Sequence, residues 1–220
     1  MRPPLSPINL LLFVFIVVFL LLFLQVGLIS IAFDKLGLSQ SSAFLLLMAS
    51  LGGSAINLPL FTIHSDVPPT PPPMMNNFWR VPMPPFTGRT MIAINAGGGL
   101  VPLAFSFYLL AHHPLPLFQA LTGVLAVAAI SYLMSRPIAG LGIGMPIFVA
   151  PISAALVAVV LNPEQSAPLA YISGTVGVLL GADVLRLKDI RHMGTPIASI
   201  GGAGTFDGIF ITGIVAVLLA

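Results

Sequence analysis

The sequence predicts an all-α membrane protein: one transmembrane domain over residues 1–220, a bundle of about seven helices, some broken by Gly or Pro. Three observations predict it. Hydrophobic residues make up 57% of the chain and charged residues 6%, where a soluble domain carries about a quarter charged, and mean hydropathy is +1.07. Seven apolar stretches approach the roughly 20 residues that carry a helix across hydrocarbon. No alternating pattern of about ten residues suggests a barrel, the other structure that satisfies its backbone in lipid.

The first stretch, about 8–33, has an apolar core longer than the roughly 7–15 residues of a signal peptide and no small-residue cleavage site, so it reads as a retained span. Spans at about 42–63, 91–111, 117–135, 138–161, 168–187 and 200–220 follow. Between the second and third lies a Pro-rich loop, about 64–89, with eight prolines between Pro68 and Pro85; it is expected to be extended and not to form a domain. Its Phe78-Trp79-Arg80 segment has the character of an interfacial anchor.

Under this count Arg2, Arg80, Arg89, Arg136, Arg186, Lys188 and Arg191 fall on the side of the N-terminus, and only Lys35 falls opposite. Basic residues are retained on the cytoplasmic side, so the N-terminus is expected in the cytoplasm of a prokaryotic inner or plasma membrane and Ala220 on the far side. The excess of eight Lys and Arg over six Asp and Glu is too small and scattered for nucleic-acid binding. The absence of cysteine removes disulfides, thiolate catalysis and iron–sulfur ligation. The four histidines do not converge, and no phosphate-binding loop pattern occurs, so neither metal nor cofactor is expected. Expected partners are the lipid bilayer, a membrane-embedded peptide or a small ion or solute, and further copies in a homo-oligomer.

Within the spans the acidic residues are Asp183 and Asp207, about 7 Å and 9 Å deep from the same face at 1.5 Å per residue. A carboxylate inside a span costs a few kcal/mol, which makes the pair the first candidate site. The bland alternatives are a helix cap for Asp207, or pairing of either carboxylate with Arg186 or Lys188. Asn57 and Asn95 lie near the same face, where amides serve interhelical hydrogen bonds or line a cavity. Gly181, Gly202 and Gly204 flank the aspartates and allow close approach of a ligand or of another helix. A weak repeat aligns Thr90-Met91-Ile92-Ala93 and its following glycines with Thr195-Pro196-Ile197-Ala198 and Gly201-Gly202.

The segments NLPL (57–60), INAGGGLVP (94–102), GAD (181–183) and GGAGTFDGIF (201–210) resemble an uncharacterised prokaryotic membrane family, the domain of unknown function 1614. That resemblance implies a compact polytopic bundle and carries no established activity. The order and side of Asp183 and Asp207 also resemble the intramembrane aspartyl proteases of the presenilin and signal-peptide-peptidase class. In that class the seventh span opens on Gly-x-Gly-Asp; here two residues separate Gly204 from Asp207. This second resemblance implies catalysis by an Asp183/Asp207 pair, one carboxyl keeping a proton while the other activates water. The first functional expectation is therefore an aspartyl-protease-like hydrolase. The alternative is an ion- or proton-coupled transporter using the same aspartates for coupling, and a third reading is a non-catalytic subunit of a membrane complex.

Overall fold

The computed structural model describes residues 27–67, 87–138, 142–202 and 208–220. Helix α1 (Gly27–Lys35) bends by 109° into α2 (Gln40–Gly53). The bend is local chemistry: Gly37 takes a positive φ of 70°, and Ser39 then caps α2 by accepting the Ser42 N–H at 3.2 Å. Strands β1 (Asn57–His64) and β2 (Arg89–Asn95) follow, then a π-helical turn (Ala96–Leu100) leading into α3 (Val101–His112) and α4 (Leu117–Met134). A short hairpin, β3 (Arg136–Ile138) and β4 (Gly142–Gly144), precedes α5 (Val149–Leu161). Next come α6 (Ser166–Val178), continued by a second π turn (Leu179–Val184), a 3-10 turn (Asp189–His192), β5 (Ile197–Ile200) and α7 (Gly208–Leu219).

The chain is mostly helical, but the expectation of helix throughout is corrected at the stretches 42–63, 91–111 and 138–161, which each contain strand. Proline and side-chain shape explain it. Pro59 disfavours the helical region for Leu58 and offers no N–H, and Phe61-Thr62-Ile63 prefers extended backbone. Gly97, Gly98 and Gly99 likewise separate the extended run of β2 from α3. Window hydropathy measures composition and is blind to these breaks. Two helices are long and apolar enough to cross a membrane, α4 and the continuous stretch Ser166–Val184, and a third if α1 and α2 count as one bent span. Of the first expected span only its end lies within the described residues; the Pro-rich loop from 68 to 86 and the Phe78-Trp79-Arg80 segment lie outside them.

The sheet runs β1-β2-β5, with β1 antiparallel to β2 and β2 parallel to β5. Thus the two segments of the weak repeat are neighbours, each a strand that leads into a Gly-rich turn. Their register pairs Met91 with Ile197 and Ile92 with Ala198, one residue off the sequence alignment. Thr90 Oγ1 donates to Thr195 O at 2.7 Å, fixing the start of the pairing.

Helix α6 is the axis of the bundle: 72% of its spanning stretch is buried, against 28% for α4. Small residues let α4 come close. A Cβ on Gly123 would lie 3.2 Å from Ser173 Cβ, one on Gly177 would lie 2.8 Å from Val127 Cβ, and one on Gly181 would strike Ala128 O. These contacts advance together along both chains, so α4 and α6 run parallel. On another side Gly174 meets Ala154 of α5, and Tyr171 is edge-on to Phe105 of α3 at 5.0 Å.

Charge separates to the two ends of the bundle. At one end Arg186 meets the end of α4, Asp66 N–H donates to Arg191 O, and Arg89 pairs with His64. At the other, Lys35 Nζ donates to Val217 O at 3.3 Å and the His113 ring bridges Leu36 O and Gln165.

The tightest seam joins α2 to the first π turn, where a Cβ on Gly97 would overlap Ser50 O and Ser54 N, whereas one on Gly52 would meet nothing within 4 Å. Gly97→Ala is therefore expected to lower stability by about 1–3 kcal/mol and Gly52→Ala to leave it unchanged or slightly raised. Unfolding midpoints of the two variants in detergent check this; equal midpoints would refute the packing account.

Candidate functional site

Asp183 sits in the π turn that ends α6, half-buried, in a stretch otherwise made of Leu, Val, Gly and Ala. Its Oδ2 accepts the backbone N–H of Gly201 at 2.8 Å. Gly201 and Gly202 have φ of 83° and 101°, values that side-chain-bearing residues avoid, and this turn aims the N–H at the carboxylate. Space imposes the same choice at Gly201, where a Cβ would lie 2.6 Å from Gly99 N. The Gly-rich turns after the two parallel strands are thus in direct backbone contact, with Asp183 fastened to one of them.

Arg186 does not pair with Asp183. Its Nη1 binds Asp189 Oδ2 at 2.9 Å, its Nη2 donates to Tyr132 O at 2.6 Å and Ser135 O at 2.8 Å, and its plane lies over the Tyr132 ring at 4.3 Å. The guanidinium is spent on the C-terminal carbonyls of α4 and on a local ion pair. Among the described residues no Lys, Arg or His reaches Asp183 within salt-bridge distance. Asp183 therefore keeps its second oxygen outside any ion pair, beside a backbone donor and glycines.

Asn57 and Asn95 are brought together at the β1–β2 end. Asn95, 1% exposed, caps the first π turn by accepting Gly98 N–H at 2.8 Å, while its Nδ2 donates to Ser54 O at 2.7 Å and Asn57 Oδ1 at 3.0 Å. Asn57 Oδ1 also accepts from Ser199 Oγ at 2.6 Å, which ties β1 to β5 across β2. Asn57 itself is exposed, so one amide is structural and the other presents a free face. Gly181, expected to line a cavity, packs against Ala128. Gly202 follows the Asp183 anchor. Asp207 and Gly204 lie outside the described residues.

Three participants escaped the sequence reading: Ser54, Ser199 and the Gly201 N–H. Backbone donors leave no residue-type signal, and a lone serine between Ala198 and Ile200 has none either. A shallow cavity of about 300 Å³ lies elsewhere, at the opposite end of α6, lined by Lys35, His113, Glu164 and Gln165. It is remote from Asp183 and shares no residue with it.

Removal of the buried amide leaves the Gly98 N–H and Ser54 O unpaired, so Asn95→Ala is expected to cost about 1–3 kcal/mol. Asn57→Ala, at an exposed position, is expected to cost less. Detergent unfolding midpoints that rank the variants the other way would show that Asn95 does not hold the turn.

The comparisons with known proteins give one match: the family model described as "Protein of unknown function (DUF1614)" covers residues 51–219. No curated protein and no solved structure matches the chain.

Proposed function

Since the chain belongs to the DUF1614 family, whose description assigns no activity, we propose a function from the site itself: a membrane carrier for a small ion or solute, coupled to a proton or cation taken up at Asp183. The observation that carries this reading is a carboxylate without a basic partner among the described residues, held by the Gly201 N–H where two Gly-rich breaks in apolar chain touch. Irregular backbone is tolerated at membrane depth only inside protein or along a cavity, and carriers use such breaks to form their sites. A carboxylate that loses or gains a proton there changes the cost of burying the site, which couples occupancy to conformation.

In this reading the end that bears Arg89, Arg136, Arg186, Lys188 and Arg191 faces the cytoplasm of a prokaryotic inner or plasma membrane, together with the N-terminus. Helices α3 and α5, too short to cross alone, are completed by the strands and turns that precede them. Asn57 and Ser199 offer the solute hydrogen-bonding groups on the sheet whose strand β5 leads into the turn that holds Asp183.

One observation favours a second reading. The Gly201 N–H fastens Asp183 to the segment that carries Asp207 six residues later in sequence. If the two carboxyls share a proton, one accepts a proton from water as its oxygen attacks a peptide carbonyl, the other protonates the leaving nitrogen, and acid and amine products result.

Proteoliposomes loaded with a pH-sensitive dye separate the two. The carrier reading expects proton flux in the wild type under an imposed gradient and at least a tenfold loss in Asp183→Asn, with unfolding midpoint retained. Equal flux in both would remove it. Cleavage of a transmembrane peptide by the wild type, lost in both Asp183→Asn and Asp207→Asn and unaccompanied by flux, would establish the hydrolase instead.

A further inference from the structure

Two fully buried hydroxyls on α6 are used by nothing described so far. Tyr171 Oη and Thr175 Oγ1 belong to residues 0% exposed, and neither has a hydrogen-bond partner among the described residues. Thr175 is a polar neighbour of the Tyr171 hydroxyl, and no partner from outside this pair reaches either oxygen among the described residues. An orphaned hydroxyl in an apolar core keeps the cost of lost hydration without compensation, so a pair of them one turn apart calls for a reason.

Their position supplies one. A Cβ on Gly213 of α7 would lie 2.8 Å from Tyr171 Cε2 and 3.0 Å from Thr175 Oγ1, so both side chains face α7. Asp183 faces the chain that leads into α7, through Gly201. At the far end of the same seam Ser166 Oγ donates to Ala220 O at 3.1 Å. Positions 171, 175 and 183 would drift apart on an unbroken α-helix by about 40° for every four residues. The π turn counters that drift: Leu185 N–H donates to Leu180 O, a five-residue ring that advances fewer degrees per residue and turns Asp183 back toward the Thr175 face. Tyr171 and Thr175 thus lie against α7 and Asp183 against the Gly201 turn that precedes it, while Ser173, Gly177 and Gly181 form the line against α4.

We infer that the seam between α6 and α7 opens to water and is the route by which a proton reaches Asp183, with Tyr171 and Thr175 as the hydroxyls that line it. Neutral hydroxyls both donate and accept, which suits them to a file of water carrying a proton and to no fixed ion. In the closed state they lack partners; opening gives them water. Gly213 is the notch of α7 in which the Tyr171 ring and the Thr175 hydroxyl lie, so a small separation of α6 from α7 frees both hydroxyls at once. The inference rests on the carrier reading for its consequence, but the opening of the seam is testable without it.

The natural chain has no cysteine, so one substitution gives a unique thiol. In full-length protein in proteoliposomes, Thr175→Cys is expected to be modified within minutes by 2-aminoethyl methanethiosulfonate, read as a mass shift. Ala158→Cys, on α5 at a position 0% exposed, is expected to stay unmodified. Protection of Thr175→Cys equal to that of Ala158→Cys would overturn the inference. The second arm removes hydroxyls and keeps shape: Tyr171→Phe and Thr175→Val should leave the unfolding midpoint unchanged or raised while proton flux falls at least fivefold. A lowered midpoint in both would make the hydroxyls structural and also overturn it. Modified Thr175→Cys with no proton flux in the wild type would remove the carrier reading and leave the water-accessible seam standing.

Discussion

Every backbone N–H and C=O that leaves a helix in so apolar a chain must find another partner, and the architecture follows from that demand. Helix serves α4 and α6 over a full spanning length. Where Pro59, the glycines of 97–99 and Gly201-Gly202 interrupt it, the freed groups pair in the β1-β2-β5 sheet. The remainder is met by a few polar side chains placed at the breaks: Asn95 for Gly98 N–H and Ser54 O, Arg186 for the carbonyls at the end of α4, Asp183 for Gly201 N–H. With only 6% of residues charged, each such side chain has a specific backbone client.

The second constraint is distance. In the membrane proposed for this chain, apolar side chains would gain little by meeting one another, and contact between elements would have to come from close packing. Glycine and serine supply it along α6, where Gly177 and Gly181 admit Val127 and Ala128, and at the junction of Gly53 with Gly97. The same stripe gives α6 one face locked against α4, while Tyr171 and Thr175 turn toward α7.

Composition alone identified the predominance of helix, and the segment 117–135 coincides with α4 to within a residue. Asp183 stood out because an acidic residue among leucines is conspicuous. Its actual partner was hidden because a backbone N–H is the same in every residue. Strands were missed where Leu, Ile, Phe and Thr satisfy a hydropathy window and a β preference equally well, as in Leu60-Phe61-Thr62-Ile63; Pro59 was the available sign. The pairing of Asn57 with Asn95 depended on an antiparallel register that no local pattern encodes. Arg186 looked like a partner for Asp183 by proximity in sequence, yet three residues on a winding chain point it to Asp189 and the end of α4.

The bond between Asp183 and Gly201 spans 18 positions of a chain that is made from its N-terminus. At about 5–20 residues per second of synthesis, the backbone donor is polymerised roughly one to four seconds after the carboxylate it binds. The β5 strand and its glycine turn thus act as a late clasp on the end of α6. Assembly of the C-terminal third is a joint event: the acidic end of α6 cannot settle until the glycine turn behind it has been delivered.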